Sequence, residues 1–199
     1  MNFLLTSAGI KNVSIHDALI DLLGKPIAES SALCIPTAIY PFPGGPAMAY
    51  RFISGATANP MVELGWQSLG VLELTALPSI KAEVWIAAVQ ATDALLVYGG
   101  DVVYLCRWLR ESGLAALLPS LREKVYVGLS AGSMVTAPTF GETYDDPTTP
   151  FVIEQGLGLV DFALLPHLDH KDHPESSTAN VARMAAELPV PLYAIDDET

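Results

Sequence analysis

The sequence predicts an α/β fold of three layers, a mostly parallel sheet with helices on both faces, formed as a single domain over residues 1–199. Three observations lead to it. Short apolar runs alternate with longer stretches of helical spacing, the pattern of strands joined by crossover helices. Those runs are apolar at successive positions, as in strands buried on both sides. Hydrophobic residues make up 51% of the chain and charged residues 16%, enough for one large covered core.

Phe3 to Thr6 reads as the first strand, ending in the small residues Ser7-Ala8-Gly9. Ser14 can cap a helix whose apolar face holds Ile15, Ala18, Leu19, Leu22 and Leu23, stopped by Gly24 and Pro26. Ala32 to Ile35 is the second strand, and Pro41 to Pro46 a loop. Asn59 to Gly70 has helical spacing, with Met61, Leu64 and Trp66 partly inward, and Val71 to Leu74 is the third strand. Ser79 can cap a helix through Val89, and Ala94 to Val97 is a fourth strand halted by Gly99-Gly100. Val102 to Leu109 and Leu114 to Leu121 are helical, and Lys124 to Val127 is the fifth strand, turned by Gly128 to Gly132 into another helix. Beyond it lie a loop over Asp145 to Pro150, a short strand at Phe151-Val152-Ile153 and a strand from Phe162 to Leu165. A polar loop over His167 to Ser177, a helix from Thr178 to Leu188 and a strand from Leu192 to Ile195 complete the pattern.

The formal net charge is −12, with ten basic residues scattered along the chain. Nucleic-acid binding needs clustered Lys and Arg, and anionic membrane surfaces need a basic patch, so neither partner is expected. The N-terminus lacks a basic region and a long apolar run, and no stretch is long enough to span a bilayer, so a cytoplasmic protein is expected. Cys34 and Cys106 lie in apolar runs and read as buried free thiols.

Gly128-Leu129-Ser130-Ala131-Gly132 follows a β-branched strand and precedes helical sequence. A serine on such a tight turn is pushed out above the sheet edge, and the positions two before and two after must be small. The N–H of Ala131 then faces a developing oxyanion, with the dipole of the next helix behind it. Ser133 reads as a first-turn residue. Three of the four histidines cluster as His167, His170 and His173. His167 follows a strand and Pro166, and a strand end on the same sheet edge as Ser130 is where a general base is expected. His170 and His173 read as solvated loop residues, and His16 as a surface residue. Metal binding by the three is not expected, because a spacing of three drifts around an α-helix and Pro174 interrupts it. Gly99 and Gly100, ahead of Asp101, leave bare backbone that a substrate can approach closely.

Taken together, Phe3 to Ser7, Cys34 to Ala38, Val97 to Asp101, Tyr126 to Ser133 and Leu165 to His167 resemble, in order and spacing, the peptidase E (α-aspartyl dipeptidase) family of serine peptidases, which includes cyanophycinase-like relatives. The resemblance implies a class I glutamine amidotransferase-like, or flavodoxin-like, fold and cofactor-free hydrolysis of short peptides, typically with an N-terminal aspartate. It implies Ser130 as nucleophile, His167 as base, and Gly100 and Ala131 as oxyanion donors. The acid falls in the final segment, where Asp197 matches best, with Glu198 and Asp145 as alternatives. Gly99, Asp101 and Asp145 would contact substrate, Asp145 at its amino group. The family's aspartate-pairing arginine has no counterpart in Glu175-Ser176-Ser177-Thr178. The family also carries closing strands beyond the position of Thr199. The expected partner is a short peptide, with a homodimer left open. The same triad would also serve an esterase or amidase, and the scaffold could carry a binding protein with a degraded site.

Overall fold

The computed structural model describes residues 1–142 and 152–199. Its centre is a five-stranded parallel sheet of β1 (Asn2–Thr6), β2 (Ser31–Ile35), β3 (Ser68–Val71), β4 (Ala94–Val97) and β5 (Val125–Leu129), in the order β1-β5-β4-β2-β3. Both faces are covered, as the sequence predicts, and β4 shows why its four residues are all apolar. Ala94 and Leu96 face one core with Cys34, Val125, Val127 and the helix residue Leu19. Leu95 and Val97 face the opposite core with Ile35, Tyr126, Leu105 and Leu109. Alternate side chains of a strand point to opposite faces, so a strand between two helix layers must be apolar throughout.

Helices α1 (Val13–Leu23), α2 (Gly45–Ile53), α3 (Ala82–Ala91), α4 (Val102–Glu111), α5 (Leu114–Leu117), α6 (Ala131–Met134) and α7 (Thr178–Glu187) surround the sheet. The cap of α1 is Asn12, not Ser14: its side chain accepts the N–H of Ile15, the third residue of the helix. Helix α2 begins inside the segment expected to be loop, because Pro46 falls in its first turn, where a missing N–H costs nothing. Helix α3 starts two residues later than expected, at Ala82 with Lys81 at the cap position rather than Ser79.

The helix expected over Asn59 to Gly70 does not form. Trp66 donates its indole N–H to the Met61 carbonyl, and Met61 N–H donates to Glu63, so side chains close an irregular loop around the fully buried Met61. Gly65, at φ 85°, disfavours a helix there, and the third strand is displaced to Ser68–Val71.

Two further strands, β6 (Thr139–Glu142) and β7 (Val152–Gln155), form an antiparallel pair. β6 was not anticipated. β8 (Ala163–Leu165) and β9 (Leu192–Ala194) form their own parallel pair rather than extending the main sheet. The expectation that the strand before His167 ends on the edge of Ser130's sheet is therefore corrected. Ala137, Ala163 and Leu188 instead form a third small core, which seats this pair beside the elbow. Both cysteines are free and buried, and burial pushes the Cys34 thiol up to about 11.

Candidate active site

The parallel sheet order brings three loops together. β5 lies between β1 and β4, with Leu129 opposite Thr6 and Gly128 opposite Val97. Residues just past the ends of these strands, Ser7, Gly99-Gly100 and Ser130, therefore meet at one edge, the usual position for sites on open α/β sheets.

Ser130 has φ 50° and ψ −114°, a conformation that a side chain rarely adopts. Its N–H donates to Thr6 O, and its carbonyl accepts from Ser133 and Met134 N–H, so hydrogen bonds on both sides hold the strain. The flanking glycines are demanded by contact. A Cβ on Gly132 would lie 2.2 Å from Val97 O, and one on Gly128 2.7 Å from Gly132 O. Tyr126 Oη, wholly buried, donates to Gly132 O at 2.7 Å. Ser133 is more than a first-turn residue: its Oγ accepts the Thr6 N–H at 3.0 Å and donates to Thr6 O at 2.8 Å, tying the elbow to β1. Helix α6 is only four residues long, so the supporting dipole expected behind Ala131 is that of a single turn.

His167 also has positive φ, 61°. With its proton on Nδ1, its Nε2 accepts from Ser130 Oγ at 3.0 Å and its Nδ1–H donates to Asp197 Oδ1 at 2.6 Å. The Asp197 segment is tied down by Ser7 N–H donating to Thr199 O and Asn12 Nδ2 donating to Glu198 O. Burial lowers the His167 pKa; the hydrogen bond and charge of Asp197 oppose this, His173 and His170 add to it, and the net direction is down. A neutral imidazole at neutral pH is the state that accepts a proton. Burial opposes ionisation of Asp197, but hydrogen bonds from His167 and Ser7 outweigh it and hold its pKa below the usual range.

Four residues join the site without being singled out for it by the sequence. Ser7, fully buried, donates to Asp197 Oδ1 at 2.8 Å and accepts the His167 backbone N–H at 2.8 Å. His173 stacks on His167 with ring centroids 4.2 Å apart and planes 13° from parallel, and its Nδ1 pairs with Glu175 at 2.8 Å. His170 Nε2 lies 3.8 Å from Asp197 Oδ2. His170 and His173 remain loop residues with partly solvated side chains, 36% and 39% exposed, as expected, but they also reach the triad. His170 N–H bonds to His167 O, His173 N–H to His170 O, and Ser176 N–H to His173 O. These turns, with left-handed φ at His167 (61°) and Asp169 (53°), fold the loop back so that the rings of His167 and His173, six residues apart, meet. Among the described residues no group of three or more His, Cys, Asp or Glu is placed to hold a metal ion.

Two cavities open beside Ser130 and share Phe42, Gly100, His167 and His173. One, about 400 Å³, reaches Asp101, Leu165 and Glu175. The other, about 350 Å³, is lined also by Ile39, Pro43, Met48, Tyr98, Gly99 and Leu129. Gly100 has φ 140° and would place a Cβ 2.3 Å from Ala38 O, so only bare backbone fits there. Asp101 caps α4, accepting Tyr104 N–H at 2.7 Å. Asp145 lies outside the described residues. Among the described residues no helix is long and apolar enough to cross a membrane.

The chain is similar to several known proteins. Peptidase E of Nostoc sp. is 37% identical over 84 residues, 40% of this chain and 34% of that protein. Peptidase E of Shewanella denitrificans is 30% identical over 149 residues, 70% of this chain and 61% of that one. The chain thus spans about one third to three fifths of these curated relatives. A solved peptidase from an acI-B1 actinobacterium matches with a TM-score of 0.68 at 19% identity, covering 97% of this chain and 79% of that one. A Listeria monocytogenes structure provisionally named peptidase E gives 0.64 at 20% identity, over 98% and 90% of the two chains. At that identity these two speak for the α/β three-layer fold alone. The family model of peptidase family S51 matches residues 3–199. The chain belongs to peptidase family S51.

Proposed function

We propose that the protein is a serine peptidase that hydrolyses short peptides, with Ser130 as nucleophile, His167 as general base and Asp197 as the acid orienting it. The observation that carries this is the continuous relay, 3.0 Å from Ser130 to His167 and 2.6 Å from His167 to Asp197. Ser130 Oγ attacks the peptide carbonyl carbon while its proton passes to His167 Nε2. The carbonyl oxygen becomes an oxyanion, to which the backbone N–H groups of Gly100 and Ala131 are assigned as donors. His167 then gives its proton to the leaving nitrogen, the C–N bond breaks, and an ester remains on Ser130. Water attacks that ester, losing a proton to His167, and the acid product leaves as Ser130 recovers its proton.

The cavity linings favour neutral, apolar side chains over an N-terminal aspartate. No lysine or arginine is among the described residues that line either cavity, and Asp101 and Glu175 add negative charge to one of them. A carboxylate brought there would be desolvated without a partner. The test is hydrolysis by Ser130→Ala, together with labelling of the wild type by a fluorophosphonate. Loss of hydrolysis and of labelling in the variant is expected. Wild-type rates in Ser130→Ala would overturn the proposal.

A further inference from the structure

We propose that Ser7 is a positioning residue for the triad, holding Asp197 and His167 in one geometry through a single buried hydroxyl. The inference rests on the hydrolase reading above. No Ser7 atom lies at the reacting bond, but its side chain touches both partners of the nucleophile. Its Oγ–H donates to Asp197 Oδ1 at 2.8 Å, the same oxygen that receives His167 Nδ1–H. The same Oγ accepts the backbone N–H of His167 at 2.8 Å and lies 3.3 Å from its Nδ1. Its own N–H donates to Thr199 O at 3.0 Å, so backbone and side chain both grip the segment that carries the acid.

The placement follows from the sheet. Thr6 pairs with Leu129, so Ser7 leaves β1 beside Ser130 as it leaves β5. Ser7 is fully buried, and a buried hydroxyl must be hydrogen-bonded. Here the hydroxyl's donor and acceptor roles are spent on the two residues that activate the nucleophile. The His167 N–H it accepts belongs to a residue at φ 61°, so Ser7 also holds a strained backbone that fixes where the imidazole points.

Removing the hydroxyl has two separable effects. The imidazole and carboxylate lose their common anchor, which lowers kcat by about 10- to 100-fold, the worth of a hydrogen bond to a charged group, and leaves KM nearly unchanged. In addition, Asp197 Oδ1 loses a competing donor and stabilises the imidazolium more strongly, so His167 gains its proton at a higher pH. The other groups that face His167, namely His170, His173 and the Glu175 paired with His173, are untouched by the change. The acid limb of kcat/KM therefore moves to higher pH in Ser7→Ala.

The experiment is a pH–rate profile of Ser7→Ala and Ser7→Cys against wild type, with fluorophosphonate labelling to count active sites. Cysteine is somewhat larger than serine and keeps only a weak donor at the same position, so it fills the site without a cavity and serves if the alanine variant does not fold. A lower kcat per labelled site at unchanged KM, with the acid limb raised, is the expected result. A fall in the number of labelled sites with the limb unmoved, or an unchanged kcat, overturns the Ser7 role while leaving the hydrolase reading standing. A wild type that neither labels nor hydrolyses overturns both.

Discussion

Replacing Asp197 by asparagine separates charge from geometry at the base. Ser7 Oγ–H and His167 Nδ1–H converge on Oδ1 of Asp197. An asparagine that places its carbonyl oxygen there keeps both bonds and holds the tautomer, so what is lost is the negative charge facing the imidazolium of the transition state. With charge centres about 3.5 Å apart and an effective dielectric constant of about 20, that attraction is about 5 kcal/mol. The Asp197 side chain is 24% exposed, so water screens part of it. About 3–4 kcal/mol remain, which corresponds to a fall in kcat of about 10²–10³. A flipped amide would present N–H to Nδ1, force the proton onto Nε2 and cost about 10⁴. Either way KM changes little, because the charge develops only in the transition state. The assay is steady-state hydrolysis of an aminoacyl p-nitroanilide, with fluorophosphonate labelling as the measure of intact sites. A kcat/KM within a factor of about three of wild type would refute Asp197 as the acid, above all if Asp145→Asn carried the loss instead.

Gly132→Ala forces a methyl group to within 2.2 Å of the Val97 carbonyl in a central strand; a stability loss of about 3 kcal/mol and a Tm lower by about 6–12 °C are expected in calorimetry. Activity needs neutral His167, whose pKa lies below the ordinary histidine value, so kcat/KM should hold as pH falls through that value and drop only beneath it, a profile read by rate against pH. His173→Ala removes both a like charge and the ring that covers His167, so each effect raises the His167 pKa and the acid limb should move up. Among dipeptides, Leu- or Met-containing substrates should exceed Asp-initiated ones in kcat/KM, and a preference for aspartate would show a cation reaching the site that the cavity linings lack.

The layered fold was legible because its strands cannot hide. Ala94 to Val97 faces a packed core on each side, and no polar residue can sit there. The elbow was legible for a related reason: Gly128 and Gly132 are fixed by backbone contacts under 3 Å, so the residue types record the geometry. Other features depend on contacts that no local pattern announces. The stretch from Asn59 has helical spacing, but Trp66 and Glu63 close it on itself. Strand β6 exists by pairing with β7, a partner that its own four residues do not announce. Ser7 looked like a turn residue because nothing in Ser7-Ala8-Gly9 says that β1 will lie beside β5. The stacking of His173 on His167 depends on left-handed φ values at His167 and Asp169, which nothing in the residue spacing announces.

The end of β1 is where these threads join. Ser130 and His167 both sit at positive φ, and strained residues persist only where their surroundings over-determine them. For Ser130 the surroundings are Thr6, through the Ser130 N–H, and Ser133, whose hydroxyl bonds both polar groups of the Thr6 backbone. For His167 they are Ser7, through the His167 N–H, and for Asp197 they are Ser7 again. Two consecutive residues of one strand end thus hold the nucleophile on one side and the base and acid on the other. Among the described residues β1 is an edge strand of the main sheet, bonded within it to β5 alone. A perturbation that loosens β1 from β5 would separate Ser130 from His167 without touching either, so the integrity of the relay should track the stability of this edge rather than that of the central strands.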